Sequence, residues 1–106
     1  MSSIGSMKRK NDYQDAAGFM KALAHRTRLA IVRELGNGEK CVTDIEDLLD
    51  VRQANISQHL AILRREGIVE CRREGKSRCY HLKDPTRLMR LLDSLGKIQK
   101  KGRDNE

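Results

Sequence analysis

The sequence has no tryptophan, one phenylalanine and two tyrosines, so aromatic residues (Tyr13, Phe19, Tyr80) make up only 3% of its 106 positions. Any core must therefore be assembled from Leu, Ile, Val, Ala and Met. No apolar run approaches the roughly 18 residues of a membrane span. The opening Met1-Ser-Ser-Ile-Gly-Ser also lacks the apolar stretch of an export signal. The expectation is a cytoplasmic protein with no membrane partner. Cysteine is scarce and odd in number: Cys41, Cys71 and Cys79, with no CxxC pair. That excludes a disulfide-built scaffold and a four-cysteine zinc site within one chain. There is no phosphate-binding glycine loop, no nucleophile elbow and no carboxylate pair with a pocket, so no catalytic residue and no enzymatic activity are expected.

What the sequence does have is positive charge. Lys and Arg number 22 against 15 Asp and Glu, a net charge of +7, which calls for a polyanionic partner. The charge is uneven. Residues 39–50 carry five acids and one lysine, whereas residues 52–81 carry seven basic side chains and three acids.

A chain of this length is one small domain. Residues 1–11 show no apolar periodicity and read as a disordered basic arm or cloning remnant, and residues 100–106 as a disordered tail. Between them, residues 12–99 carry the pattern of a folded unit. Ala16, Phe19, Met20 and Leu23 recur at helical steps from Asp12 to about Ala24, and a second helix runs from about Thr27 to Leu35 until Gly36-Asn37-Gly38 stops it. Thr43 is expected to cap a short third helix, Asp44 to Leu49. A fourth helix spans Ala54 to about Glu66 and ends at Gly67. Two strands, Ile68 to Arg73 and Arg78 to Leu82, flank Glu74-Gly75 as a hairpin. Asp84-Pro85 then opens a last helix. Its Leu88, Leu91, Leu92, Leu95 and Ile98, with Phe19 and Met20 of the first helix, form apolar stripes that a small domain would cover by dimerising. The fold class is mainly α with a small β-hairpin, a winged helix-turn-helix in the order α, α, α, α, β, β, α.

The fourth helix carries the functional signal. Ile56, Leu60 and Leu63 fall within about 60° of one another on a helical wheel. The other side presents Ala54, Asn55, Ser57, Gln58 and Ala61. Small and amide side chains on a narrow face suit entry into a major groove about 12 Å wide, where they can meet base edges. A merely solvated face would more usually carry Glu and Lys. Arg72, Arg73, Lys76 and Arg78 around the hairpin are placed to meet phosphates or the minor groove and to make the affinity salt-dependent.

Five segments in register, Leu23-Ala-His-Arg-Thr-Arg-Leu-Ala-Ile31, Gln53-Ala-Asn-Ile-Ser-Gln-His-Leu60, Leu63-Arg-Arg-Glu-Gly-Ile-Val69, Arg72-Arg-Glu-Gly-Lys76 and Tyr80-His-Leu82, resemble the ArsR/SmtB family of bacterial winged-helix repressors. The resemblance covers about residues 12–99. It implies a homodimer held by the first and last helices, with two recognition helices in successive major grooves of a palindromic double-stranded DNA operator. It also implies release when a signal arrives. By that resemblance the base-reading positions are Gln53, Ala54, Asn55, Ser57, Gln58 and His59. Ala54 departs from the family's commoner Ser, and Gln58 stands where His is frequent, which affects the operator sequence rather than the fold.

The resemblance also frames what is sensed. Arsenic and cadmium sensors of the family use Cys-Val-Cys-Asp where this chain has Cys41-Val-Thr-Asp44, so one soft ligand is replaced by a hydroxyl. The family's zinc site on the last helix is missing, because no His or Cys follows Asp84 there. Cys71 and Cys79 face each other only if Glu74-Gly-Lys76 forms a three-residue loop. A two-residue Glu74-Gly75 turn, which the Glu-Gly pair favours, puts their sulfurs on opposite faces. Three readings of Cys41, Cys71 and Cys79 stand: compact structural side chains, a thiol switch for oxidants or reactive sulfur activated by neighbouring arginines, or an arsenite or soft-metal site. In the first, the protein is a constitutive, non-inducible DNA-binding protein. His25 reads as structural, and His81 shares a strand face with Cys79 by default.

Overall fold

The computed structural model describes residues 9–104, with backbone alone for Gln53, Ala54 and residues 97–104. The elements run α1 (Lys10–Leu23), α2 (Arg26–Leu35), β1 (Lys40–Cys41), α3 (Val42–Leu49), α4 (Gln53–Arg65), β2 (Val69–Glu74), β3 (Ser77–Leu82) and α5 (Pro85–Asp104). This is the winged helix-turn-helix order, with one addition. The two-residue β1 pairs antiparallel with β3, making a three-stranded sheet ordered β1-β3-β2.

Helix ends follow local chemistry. The Arg9 amide donates to Asp12 Oδ2 at the start of α1. His25 caps α2 by accepting the Thr27 amide on Nδ1 at 3.0 Å. The expected cap at Thr43 is replaced by Cys41, whose amide donates to Asp44 Oδ2 at 3.1 Å, because the chain leaves β1 directly into the helix. Asp84 Oδ1 accepts the Arg87 amide at 3.4 Å at the start of α5. That helix continues through Asp104, beyond residue 99 where the expected domain ends. Residues 100–104 contain no proline and three Lys or Arg side chains, which favour helix. Of the two expected terminal segments, residues 1–8 and 105–106 lie outside the described residues.

One apolar core joins the layers. Ile31, Val32, Ile45, Ile56, Leu60 and Leu63 are fully buried, with Ile68, Val69, Tyr80 and Leu82 from the hairpin packed on them. α4 packs on α1, α2, α3 and β2, so its inner face is fixed from several directions. The apolar stripe of α5 divides. Leu88 and Leu92 are buried within the protomer, whereas Leu91 and Leu95 are 38% and 44% exposed. Phe19 also packs partly against the core, while Met20 is 67% exposed. The outward apolar positions of α1 and α5 among the described side chains are thus Tyr13, Met20, Leu91 and Leu95, with Leu48 of α3 also exposed, and Ile98 lies outside the described side chains.

The hairpin register differs from both arrangements weighed from the sequence. Glu74 pairs with Ser77, Arg73 with Arg78, Arg72 with Cys79 and Cys71 with Tyr80, so the turn is Gly75-Lys76. Gly75 takes the positive φ of 60° that such a turn requires. Packing excludes the three-residue loop: Val69, Tyr80 and Leu82 share one face of the hairpin and all three are buried, whereas that loop would put Val69 on the opposite face from the other two.

Candidate nucleic-acid interface

α4 turns in the direction its spacing predicts. Ile56, Leu60 and Leu63 are fully buried. Asn55, Ser57, Gln58 and Ala61 are exposed on the side away from the core. Gln53 and Ala54 occupy the first turn, with side chains outside the described residues.

His59 lies elsewhere. Its ring is half-buried, 4.4 Å from the His25 ring with a tilt of 47° between planes, and its Nδ1 is buried with no partner. It therefore fastens α4 to the cap of α2. Burial, then the charges of His25 and Arg28, lowers its pKa from the ordinary 6.5. The unfolded chain, with its His59 pKa near 6.5, binds this proton more readily than the folded one, so stability falls as pH drops below that value. The urea midpoint is expected to decrease between about pH 7 and pH 5, with a smaller decrease in His59→Gln. An identical slope in the variant would remove His59 from this role.

On the wing, Arg73, Lys76 and Arg78 are exposed and face solvent. Arg72 is engaged elsewhere. Its Nε and Nη2 donate to Glu39 Oε2 and Oε1 at 3.0 and 2.8 Å, and Nη1 reaches Glu74 at 3.4 Å. That paired guanidinium holds the Glu39 carboxyl below its usual pKa. His81 bonds Glu70 at 2.9 Å and approaches Glu39 at 3.9 Å. These residues line one face of the sheet and strap the entry to β1 across β3 to β2. Arg72 thus braces the wing, and Arg73, Lys76 and Arg78 are left exposed.

A cleft of about 420 Å³ lies between α4 and β3, lined by Ser57, Ala61, Arg64, Arg65, Arg78 and Tyr80 among others. A second, of about 340 Å³, places Thr43 and Ser57 opposite Lys76, Ser77 and Arg78. Both are concave and cationic, with Ser57 and Arg78 shared. Arg64 and Arg65 were not picked out from the sequence as interface residues. Their signal was the spacing 57, 61, 64, 65, which puts them on the face of Ser57. Arginine in the last turn also suits the helix dipole, which hides a second use.

Cys71 and Cys79 do not pair with each other, and the partner of Cys79 comes from outside the hairpin. Cys79 is joined to Cys41 by a disulfide, and Cys71 is free. No periodicity marks β1, and it is β1 that sets Cys41 opposite Cys79. Because Cys71 pairs with Tyr80 while Cys79 pairs with Arg72, Cys71 and Cys79 lie on opposite faces, as the short turn implied. Tyr80 is almost completely buried, and that burial, then the neighbouring Cys71 thiol, raises its phenol pKa. Closing a 38-residue separation is worth roughly 4 kcal/mol in chain-entropy terms. Among the described residues no group of three or more His, Cys, Asp and Glu is placed to hold a metal ion. With two sulfurs bonded to each other and the third on the other face, these residues do not compose a three-sulfur arsenite site. Nor, among them, is any helix long and apolar enough to cross a membrane.

Comparison with known proteins places this geometry. Residues 25–70 match the arsR family of bacterial regulatory proteins. The chain is 41% identical over 81 residues to the biofilm growth-associated repressor of Agrobacterium fabrum, covering 76% of this chain and 68% of that protein. It is 48% identical over 63 residues to the arsenical resistance operon repressor of Escherichia coli, covering 58% and 54%. The crystal structure of the transcriptional repressor BigR from Xylella fastidiosa superposes with a TM-score of 0.74 at 35% identity, covering 92% of this chain and 96% of that one.

Proposed function

Because the chain belongs to the ArsR family of bacterial regulatory proteins, we propose that it is a cytoplasmic, homodimeric transcriptional repressor. It binds a palindromic DNA operator and is released by a signal read through cysteine thiols. It acts by binding, without turnover. The observation that carries the DNA reading is α4: a fully buried Ile56-Leu60-Leu63 stripe behind an exposed Asn55-Ser57-Gln58 face, beside clefts lined by arginines. Amides and hydroxyls at that face meet base edges, while Arg73, Lys76 and Arg78 meet phosphates. Met20, Leu91 and Leu95 supply an outward apolar surface for a second copy. Two-fold symmetry then sets the half-sites about 34–36 Å apart.

The thiol reading is supported by position. Cys41 caps the first helix of the helix-turn-helix unit, and Cys71 and Cys79 lie in the wing. A change at these sulfurs is therefore a change within the DNA-binding frame. Oxidants or reactive sulfur fit a bonded Cys41–Cys79 pair better than arsenite or a soft metal ion, which would need a further ligand.

Fluorescence anisotropy on the chain's own upstream DNA and on random DNA tests the assignment of roles. Gln58→Ala is expected to reduce discrimination between the two by about 1–3 kcal/mol. Lys76→Ala is expected to weaken both alike and to flatten the salt slope by about one ion. Identical behaviour of the two variants on both DNAs would overturn it.

A further inference from the structure

We infer that Cys41 and Cys79 form a redox latch between the helix-turn-helix unit and the wing, closed by peroxide and opened by thiol reductants, and that closing it releases DNA. The inference rests on the repressor reading above and names the pair, the reaction and the mechanical consequence. Cys71 takes no part.

Three observations support the pair. First, Cys41 and Cys79 are cross-strand partners on β1 and β3 and are disulfide-bonded. A DNA-binding protein works where glutathione and thioredoxin keep thiols reduced, and disulfides there are usually transient and redox-sensing. Second, the two sulfurs differ in access. Cys79 is 2% exposed, whereas Cys41 is half-buried at the N-cap of α3 and is the more accessible of the two. Cys41 is thus the attacking sulfur and Cys79 the resolving one. Third, the bond reinforces a short pairing at one edge of the sheet. β1 is held to β3 by only two residue pairs, and to β2 through the Glu39–Arg72 ion pair.

The chemistry balances with hydrogen peroxide as oxidant. The Cys41 thiolate attacks one peroxide oxygen, the O–O bond breaks, and the departing hydroxide takes a proton to leave as water. The resulting sulfenic acid is then attacked by the Cys79 thiolate. Its S–O bond breaks, a second water leaves, and the S–S bond forms. Two thiols lose two electrons and two protons, and the peroxide gains them.

The consequence for DNA follows from neighbours in sequence. Arg78 adjoins Cys79 and lines both cationic clefts, and Val42 and Thr43 follow Cys41 and line the second. With the bond formed, the base of the wing and the N-terminus of α3 move as one body. The wing then loses the freedom to settle on the DNA backbone once α4 has entered the groove.

The test uses the full chain, reduced with dithiothreitol or treated with hydrogen peroxide and then quenched. Peptide mapping and anisotropy on upstream and random DNA are measured on the same samples. Peroxide is expected to yield a linked Cys41–Cys79 peptide and to weaken operator binding by about 5- to 150-fold, the usual range of coupling between two sites, with recovery in dithiothreitol. Cys71→Ser should respond like the wild type. Cys41→Ser, Cys79→Ser and Cys79→Ala should bind like the reduced chain and ignore peroxide. Circular dichroism identifies any variant that fails to fold, and the second Cys79 substitution guards against that failure. A formed bond with unchanged or tighter operator binding overturns the inference, as does a peroxide response that survives Cys41→Ser. Failure of the reduced chain to prefer upstream over random DNA would instead refute the repressor reading itself. Release by arsenite or zinc, with none by peroxide, would keep the thiol reading and discard the latch.

Discussion

Replacing Leu60 with alanine is expected to destabilise the folded chain by about 2–5 kcal/mol. Leu60 is fully buried between Ile56 and Leu63, where α4 meets the rest of the core. Truncation removes its transfer free energy and leaves a cavity that helices held on several sides cannot close. Set against a total stability of about 5–15 kcal/mol for a small domain, this is a large fraction. The adjacent Ala61 faces solvent, and Ala61→Ser is expected to stay within about 0.5 kcal/mol. Urea unfolding of both variants at one fixed protein concentration checks the contrast. Comparable losses at the two positions would mean that α4 is rotated from the orientation described, and the base-reading face would move with it.

The second large effect concerns the dimer. Leu91 and Leu95 are 38% and 44% exposed on α5, one and two turns along the helix, and their neighbours Leu88 and Leu92 already serve the protomer's own core. The double substitution Leu91→Asp, Leu95→Asp places charge on the outward face without disturbing the inner one. Burying two carboxylates against a second copy without partners is strongly unfavourable. The variant is therefore expected to sediment as a folded monomer. A monomer reaches one half-site at a time, so operator affinity should fall toward the non-specific level, by about 10³-fold or more. Dimers of undiminished affinity would show that another surface holds the copies together.

Sequence and structure agree where one spacing admits one outcome. The α4 stripe was legible because only one orientation buries Ile56, Leu60 and Leu63 together, and every exposed residue of that helix follows from it. The stripe on α5 was legible only as a stripe. It is too wide for one neighbour, and nothing local tells Leu88 and Leu92, which face home, from Leu91 and Leu95, which face out. The hairpin was foreseen but its register was not, since Gly75 suits either a Glu74-Gly75 or a Gly75-Lys76 turn. The burial of Val69, Tyr80 and Leu82 on one face excludes a three-residue loop and is common to both two-residue turns. The two residues of β1 carry no periodicity, so neither the Cys41–Cys79 pairing nor the use of Arg72 by Glu39, 33 residues away, could be read from the chain. His59 shows the same limit. Its position on the edge of the apolar stripe was visible, but its partner His25 belongs to another helix.

The central claim is that the exposed face of α4 reads sequence while the wing supplies charge. It is tested most directly by the affinity of the reduced wild-type chain for its own upstream DNA and for random DNA of equal length, at one salt concentration. The account predicts tighter binding to the upstream DNA by about 10³-fold or more. Equal affinity for the two would contradict it, leaving only the electrostatic attraction of a basic protein for phosphate.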